Sequence, residues 1–383
     1  LQALRNPVRS KQRYLEAEAQ LLRDLAGLEA GSQDLTTREY AEQIMDTMIT
    51  YINSFFALLL ASEIAKSGLR RICKDAEPSL REQLTYLERA LPNNITIEMG
   101  LAMHNLSGYD EIRQCVSREE FVHRLKQRDL SPEFLQAWDA FMQTYGFRAP
   151  MEMDPATLRF YEQPGQFFEQ LRAMAQSVDK KHNPQAIFKQ AQAQREKAFQ
   201  TLLQAAGKKG TRKAKKFKKN YDILLEFGGY REKPKYYFVL VTDMFRRRLL
   251  AIARSLVDQG RLDHPQQVFE LKMDQLDRGL TDPALDLRLL AGRNTQPLEK
   301  LRHVHDFPRV INSRGKIMRP PRKKADTGEL AGETISPGVV RGKVKVLHQP
   351  DEKPVLLGEI LVTRATDPVW TPLFLNASGI VLE

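Results

Sequence analysis

From the first residue to about residue 302, apolar side chains recur at spacings of three and four almost throughout, the period of helices that bury one face. Met45, Met48, Ile49, Ile52, Phe55, Phe56 and Leu59 form one such stripe and read as a buried helix face. Val241, Met244, Phe245, Leu249, Ile252 and Leu256 form another. Thr36 with Glu39 and Ser117 with Glu120 read as capping boxes, and Ser131-Pro132 as an N-cap followed by proline in the first turn. The pattern predicts about ten helices packed on one another. Two stretches interrupt them. Leu91-Pro92-Asn93-Asn94 ends one helix and opens residues 95–106 as an extended stretch, and residues 146–155 carry Pro150 and Pro155, which forbid a continuous helix.

After Phe307-Pro308 the pattern changes. Residues 312–329 are polar and basic and include Pro320-Pro321, as linkers do. Beyond them the period becomes two. Val339, Val344 and Val346, then Ile360-Leu361-Val362, then Gly379-Ile380-Val381-Leu382 read as strands, with a short helix at residues 368–374. The expected fold class is mainly α: a multi-helix domain over 1–307, a basic linker over 308–330, and the start of a small β/α domain over 331–383.

The 383 residues carry a formal charge of +11, which sharpens this picture because the charge is concentrated. Eight cations and no carboxylate lie in residues 208–219, and six more cations lie in residues 314–324, so the remainder is close to neutral. Cys73 and Cys115 are too few for a disulfide framework and wrongly spaced for zinc. No run reaches the ~18 uninterrupted apolar residues of a membrane-spanning helix, the longest candidate being residues 55–61. No signal peptide is recognisable, and a cytoplasmic setting without membrane contact is expected. Leu1 opens the sequence and an apolar run precedes Glu383, so the chain reads as a piece of a longer one.

Three motifs in order, Ile335-Ser336-Pro337-Gly338-Val339-Val340-Arg341-Gly342-Lys343-Val344, Gly358-Glu359-Ile360-Leu361-Val362 and Thr366-Asp367-Pro368-Val369-Trp370, resemble the phosphohistidine (swivelling) domain of phosphoenolpyruvate-utilising enzymes. In that family the residues that follow carry a histidine that accepts phosphate from ATP. A helical substrate-binding domain placed before the phosphohistidine domain is similar to the order in rifampicin phosphotransferases. Further matches are Thr96-Ile97-Glu98-Met99, the run from Tyr145 through Arg148 and Glu152 to Asp154, Tyr230-Arg231-Glu232-Lys233-Pro234-Lys235-Tyr236, and Gly260-Arg261-Leu262 before Val268-Phe269-Glu270-Leu271. Gly228-Gly229 and Met151, where a glycine is expected, depart from the family pattern, and residues 1–90 resemble it only in being helical.

Arg231, Lys233 and Lys235 crowd the start of the helix that Pro234 opens, where cations oppose the helix dipole by ~0.3 to 1 kcal/mol each. That placement suits a bound anion such as a phosphoryl group. The residues alone favour surface pairs with Glu226 and Glu232; the resemblance reverses this and implies that Arg231 and Lys235 line the transfer site as its catalytic residues. Glu98, Arg148, Glu152, Asp154 and Arg159 read either as a buried ion-pair network fixing the irregular segment or, for Glu98 and Arg148, as substrate contacts. Tyr236, Tyr237 and Met99 read either as the lining of an apolar pocket for substrate or as core.

No metal site is expected, His303 and His305 pointing apart beside Asp306, and no phosphate-cradling Gly-Lys-Ser/Thr loop occurs. The resemblance implies ATP and Mg2+ as cofactors of a full-length protein, bound by an ATP-grasp domain outside this sequence, and a small hydroxyl-bearing substrate in the helical domain. It implies a phosphotransferase that these residues alone leave inactive. The rivals are a condensing or ligating enzyme related to phosphoenolpyruvate synthase and a helical protein binding a polyanion through residues 208–219. Nucleic acid is the weaker partner, because only Phe217 and Tyr221 interleave with those cations.

Overall fold

The computed structural model describes the chain except residues 1, 178–183, 302–303, 305–307, 309, 319–331, 333–334, 336–337, 349–351, 354, 357, 367–369, 375 and 383. It is mainly α. The helices are α1 Gln2–Arg5, α2 Pro7–Gly31, α3 Thr37–Ile72, α4 Pro78–Glu82, α5 Ile95–Ser107, α6 Asp110–Gln114, α7 Arg118–Gln127, α8 Pro132–Tyr145, α9 Pro164–Ser177, α10 Pro184–Lys208, α11 Thr211–Phe227, α12 Lys233–Asp258, α13 Met273–Thr281 and α14 Leu287–Leu301. Short 3-10 turns at Gln83–Glu88, Phe160–Glu162, Gly228–Glu232 and Pro265–Glu270 join or flank them. Helices outnumber the expected ten because α1, α4 and α6 are too short to show a period.

By contact the chain divides into two compact units, residues 1–248 with 342–383, and residues 249–341. In the first, α2 and α3 form an antiparallel hairpin. Asn6 caps α2 ahead of Pro7, and Thr36 caps α3 in a full capping box with Glu39. Ser131 accepts from the Phe134 N–H as expected. At α7 half of the anticipated box forms: Ser117 accepts from Glu120 N–H, but the Glu120 carboxylate takes the N–H of Val116.

The stripe on α3 needs correction. The helix buries Tyr40, Ile44, Met48, Phe55, Leu58, Ala61, Ala65 and Leu69, whereas Met45, Ile49, Phe56, Leu60 and Ile64 stand exposed. Apolar residues thus occupy more than one face. By length and composition α3 is also apolar enough to cross a membrane, the single described helix that is, which the short run at residues 55–61 understated. On α12, Val241, Met244, Leu249 and Leu256 are buried as expected.

Residues 95–106 are helical, not extended. The Asn94 side chain accepts from the N–H groups of Thr96 and Ile97 (3.1 Å each), and Met99, Met103 and Leu106 are buried at helical spacing. Packing and a cap override the β-branched residues that open the helix, where the rotamer cost is least. Asn94→Ala is expected to lower stability by about 1 kcal/mol, the usual value of an N-cap, read as a shift in the urea midpoint at unchanged slope.

Helices α5 to α9 enclose an aromatic core in which Phe121, Phe134, Trp138, Phe167 and Phe168 meet. A second core joins α2, α3 and the start of α12, and a third joins α3, α10 and α11. The C-terminal residues form three parallel strands in the order β3 Val344–Val346, β4 Ile360–Thr363, β5 Gly379–Leu382, with helix α15 Thr371–Phe374 between the last two. Val339, expected in the first strand, lies outside it and is exposed. Leu347, Val355, Leu361, Trp370 and Leu373 fill the small core beneath this sheet.

In the second unit Gly260 adopts φ +69°, and Arg261 then donates to the carbonyls of Gly279, Asp282 and Leu285, stapling α13 and its following turn. The start of the anticipated linker is a hairpin, β1 Val310–Ile311 paired antiparallel with β2 Ile317–Met318. His303, His305, Arg319, Pro320, Pro321 and Arg322 to Lys324 lie outside the described residues.

Candidate functional site

Helix α11 passes into α12 through the 3-10 turn Gly228–Glu232, so Arg231 sits on that turn and Lys235 in the first turn of α12. The N–H of Lys233 donates to Tyr230 O, which leaves this helix start less open to an anion than a free N-terminus. Two glycines allow the turn to seat against loop 91–94. A Cβ on Gly229 would clash with the Pro92 carbonyl oxygen, far closer than van der Waals contact, and one on Gly228 would lie 2.6 Å from Leu91 Cδ1. The glycine pair is thus explained by close approach, and that approach holds the turn carrying Arg231.

The irregular segment lies along α12. Its backbone closes on itself through Phe160 N–H to Arg148 O (3.1 Å) and Tyr161 N–H to Gly146 O (3.2 Å). Met151 takes φ +47°, the left-handed region that glycine enters freely and methionine enters at a cost, which accounts for the glycine anticipated there. Arg148 and Glu152, both only 2% exposed, make a two-pronged pair: Nε to Oε2 and Nη2 to Oε1 (3.0 Å). Lys235 Nζ reaches the same Glu152 Oε1 at 2.8 Å while its side chain remains 41% exposed. Arg148 Nη1 is buried with no acceptor among the described residues.

Farther along, Arg159 donates from Nη1 to the Glu152 carbonyl (2.9 Å) and faces Asp243 of α12 (3.6 Å). Tyr161 donates to Asp243 (2.8 Å), and Arg246 grips Glu162 through Nε and Nη2 (3.0 and 2.8 Å). Burial pushes the Asp243 carboxyl up against the pull of Tyr161, Arg247 and Arg159, and burial lowers the Arg159 guanidinium. The segment is therefore tied to α12 by buried ion pairs at Arg159 and Glu162 and by the half-exposed Lys235 at Glu152, with Arg148 and Glu152 paired inside it, the ion-pair alternative of the two readings for Arg148, Glu152 and Arg159. Asp154 contributes instead locally, accepting the Ala156 N–H (2.8 Å).

Arg231 is 65% exposed and pairs with its neighbour Glu232 at 3.0 Å, while Glu226 pairs with Lys11. Lys233 does not join Lys235. Its Nζ lies 3.1 Å from Glu18 of α2, a carboxylate that also accepts from the hydroxyls of Tyr14 (3.1 Å) and Tyr237. Tyr237 is buried, and burial with Glu18 raises its hydroxyl far above the ordinary range. Tyr236 donates to Thr144 O (3.0 Å) and packs edge-on against Phe147, its hydroxyl pushed up to about 12 chiefly by burial. Met99 is fully buried in the aromatic core, and Glu98 is exposed on the first turn of α5. The structure thus brings Lys235, Glu152 and Arg148 together and adds Glu18, which the sequence pattern gave no reason to place beside α12. Among the described residues no group of three or more metal-ligating side chains occurs.

A model of the rifampicin phosphotransferase fourth domain matches residues 48–232, from within α3 to the turn that carries Arg231. The rifampicin phosphotransferases of Bacillus subtilis (strain 168) and Bacillus cereus are each 30% identical, over 313 and 310 residues, which is 78% of this chain and 35% of theirs. The phosphoenolpyruvate synthase of Aeropyrum pernix is 34% identical over 107 residues, 26% of this chain and 13% of its own. The chain belongs to the phosphoenolpyruvate-utilising enzyme family. It spans about a third of the length of its rifampicin phosphotransferase relatives. As a phosphoenolpyruvate-utilising enzyme sequence it is similar to relatives named phosphotransferases.

Proposed function

We propose that these residues form part of a longer ATP-dependent phosphotransferase. A swivelling phosphohistidine domain carries phosphate to a hydroxyl-bearing small molecule held by the helical domain. The observation that carries the reading is Lys235: a half-exposed ammonium on the first turn of α12, attached to a buried carboxylate that Arg148 already pairs. Counted as charges, the three groups sum to one positive, and one turn earlier Arg231 and Glu232 form an exposed pair of no net charge. Such a cluster stabilises a phosphoryl group as its bond to a histidine nitrogen breaks and a bond to the substrate oxygen forms, with the hydroxyl proton released. In this reading ATP and Mg2+ are handled outside these residues, the enzyme works in the cytoplasm, and the chain alone turns over no ATP.

The family match supports this reading at the coarser level of a phosphotransferase relative. Relatives named rifampicin phosphotransferase make rifampicin the first acceptor to try, and formation of phosphoenolpyruvate is the rival outcome. The test uses the full-length polypeptide containing these residues with labelled ATP. Lys235→Met is expected to lower kcat for transfer to the acceptor by roughly 10²- to 10³-fold, with the histidine still labelled. Transfer at the parent rate in that variant would overturn the assignment.

A further inference from the structure

We propose that Glu152 is a positioning residue: it parks Lys235 until a phosphoryl group arrives, and releases the lysine to that group because Arg148 keeps the carboxylate paired throughout. The inference rests on the anion-binding reading of Lys235 given above. Its basis is the inequality of the two partners. Arg148 is buried with Glu152 and engages both carboxylate oxygens, so that pair stays intact when the lysine leaves. Lys235 makes one contact, at 2.8 Å to Oε1, from a side chain that reaches solvent. A buried carboxylate left with no partner would hold its lysine tightly, since losing it strands a charge. Here the departure strands nothing.

The backbone around the triad is fixed independently of the lysine. Arg159 donates to the Glu152 carbonyl, and Tyr236, the residue after Lys235, donates to Thr144 O. Movement of Lys235 therefore amounts to a rotation of its own side chain about a stationary carboxylate. The carboxylate does two things at once: it holds the ammonium near the place where an anion binds, and it competes with that anion.

Competition gives a signature that a merely structural role does not. The probe is inorganic phosphate, titrated calorimetrically into the 383-residue chain. Lys235→Met is expected to weaken phosphate binding by about tenfold or more, and Glu152→Gln to tighten it by about three- to fivefold, the range set by removing a half-exposed ion pair. In the full-length protein the same Glu152→Gln should lower kcat while KM falls or holds, because the lysine binds phosphate but is no longer placed. If Lys235→Met weakens phosphate and Glu152→Gln leaves it unchanged or weakens it too, the parking role is overturned and the anion site stands. Phosphate binding indifferent to Lys235→Met defeats the anion site and this inference with it. Should Glu152→Gln fail to fold, Glu152→Asp carries the test: it retains the charge for Arg148 but is one methylene short of Lys235, so tightened binding supports the inference and unchanged binding overturns it.

Discussion

Gly229→Ala is expected to lower stability by about 3 kcal/mol or more, and to displace the turn that carries Arg231. The added Cβ would meet backbone, not a side chain: it overlaps the Pro92 carbonyl oxygen and lies 2.8 Å from that carbonyl carbon and 3.0 Å from Asn93 C. Loop 90–93 has little room to yield. Ala90 and Asn93 already hold positive φ, at 46° and 61°, and Arg195 donates to the carbonyls of Arg89 and Ala90. At Gly228 the obstacle is the end of the Leu91 side chain, which can rotate. Thermal unfolding of the two variants therefore separates the causes. Gly229→Ala should lose roughly 4 °C or more and Gly228→Ala clearly less; equal losses would sink the close-approach argument.

Arg246→Met is the second large effect. The guanidinium is fully buried, grips both oxygens of Glu162 and donates to Pro155 O, so its loss leaves Glu162 without its main charge partner at a largely buried site. Breaking a buried pair on one side typically costs about 3 to 5 kcal/mol, whereas replacing both members by apolar side chains recovers much of that. Urea unfolding should show Arg246→Met strongly destabilised and the Arg246→Met, Glu162→Met double variant partly restored. A single variant within about 1 kcal/mol of the parent chain would mean that the network is not what fixes residues 146–163. Because Glu162 also accepts the Arg159 N–H, loosening is expected to spread toward Glu152 and Lys235.

The helical character of residues 1–302 is legible because an apolar face repeats with a fixed period, and the start of α12 is legible because proline and cations mark it. Helix α5 was open to the same reading: Ile95, Met99, Met103 and Leu106 repeat at helical spacing behind Asn94. The adjacent proline and the β-branched Ile95, Thr96 and Ile97 point the other way, and only burial decides between them. The stripe on α3 misleads for a different reason. Its apolar residues exceed one face, so periodicity cannot say which are buried. Within the candidate site, the charge network of residues 148–159 follows from composition, but its partners Lys235, Asp243 and Arg246 belong to a distant helix. Glu18 lies still farther, 219 positions before Tyr237, and no local rule joins them.

The exposed Met45, Ile49, Phe56, Leu60 and Ile64 of α3 also decide how the stability measurements should be made. A row of uncovered apolar side chains on the folded chain offers an environment-sensitive dye a place to bind before any unfolding begins. Fluorescence would then start high and flatten the transition, so far-UV circular dichroism, which follows the helices themselves, is the sounder record of each melt.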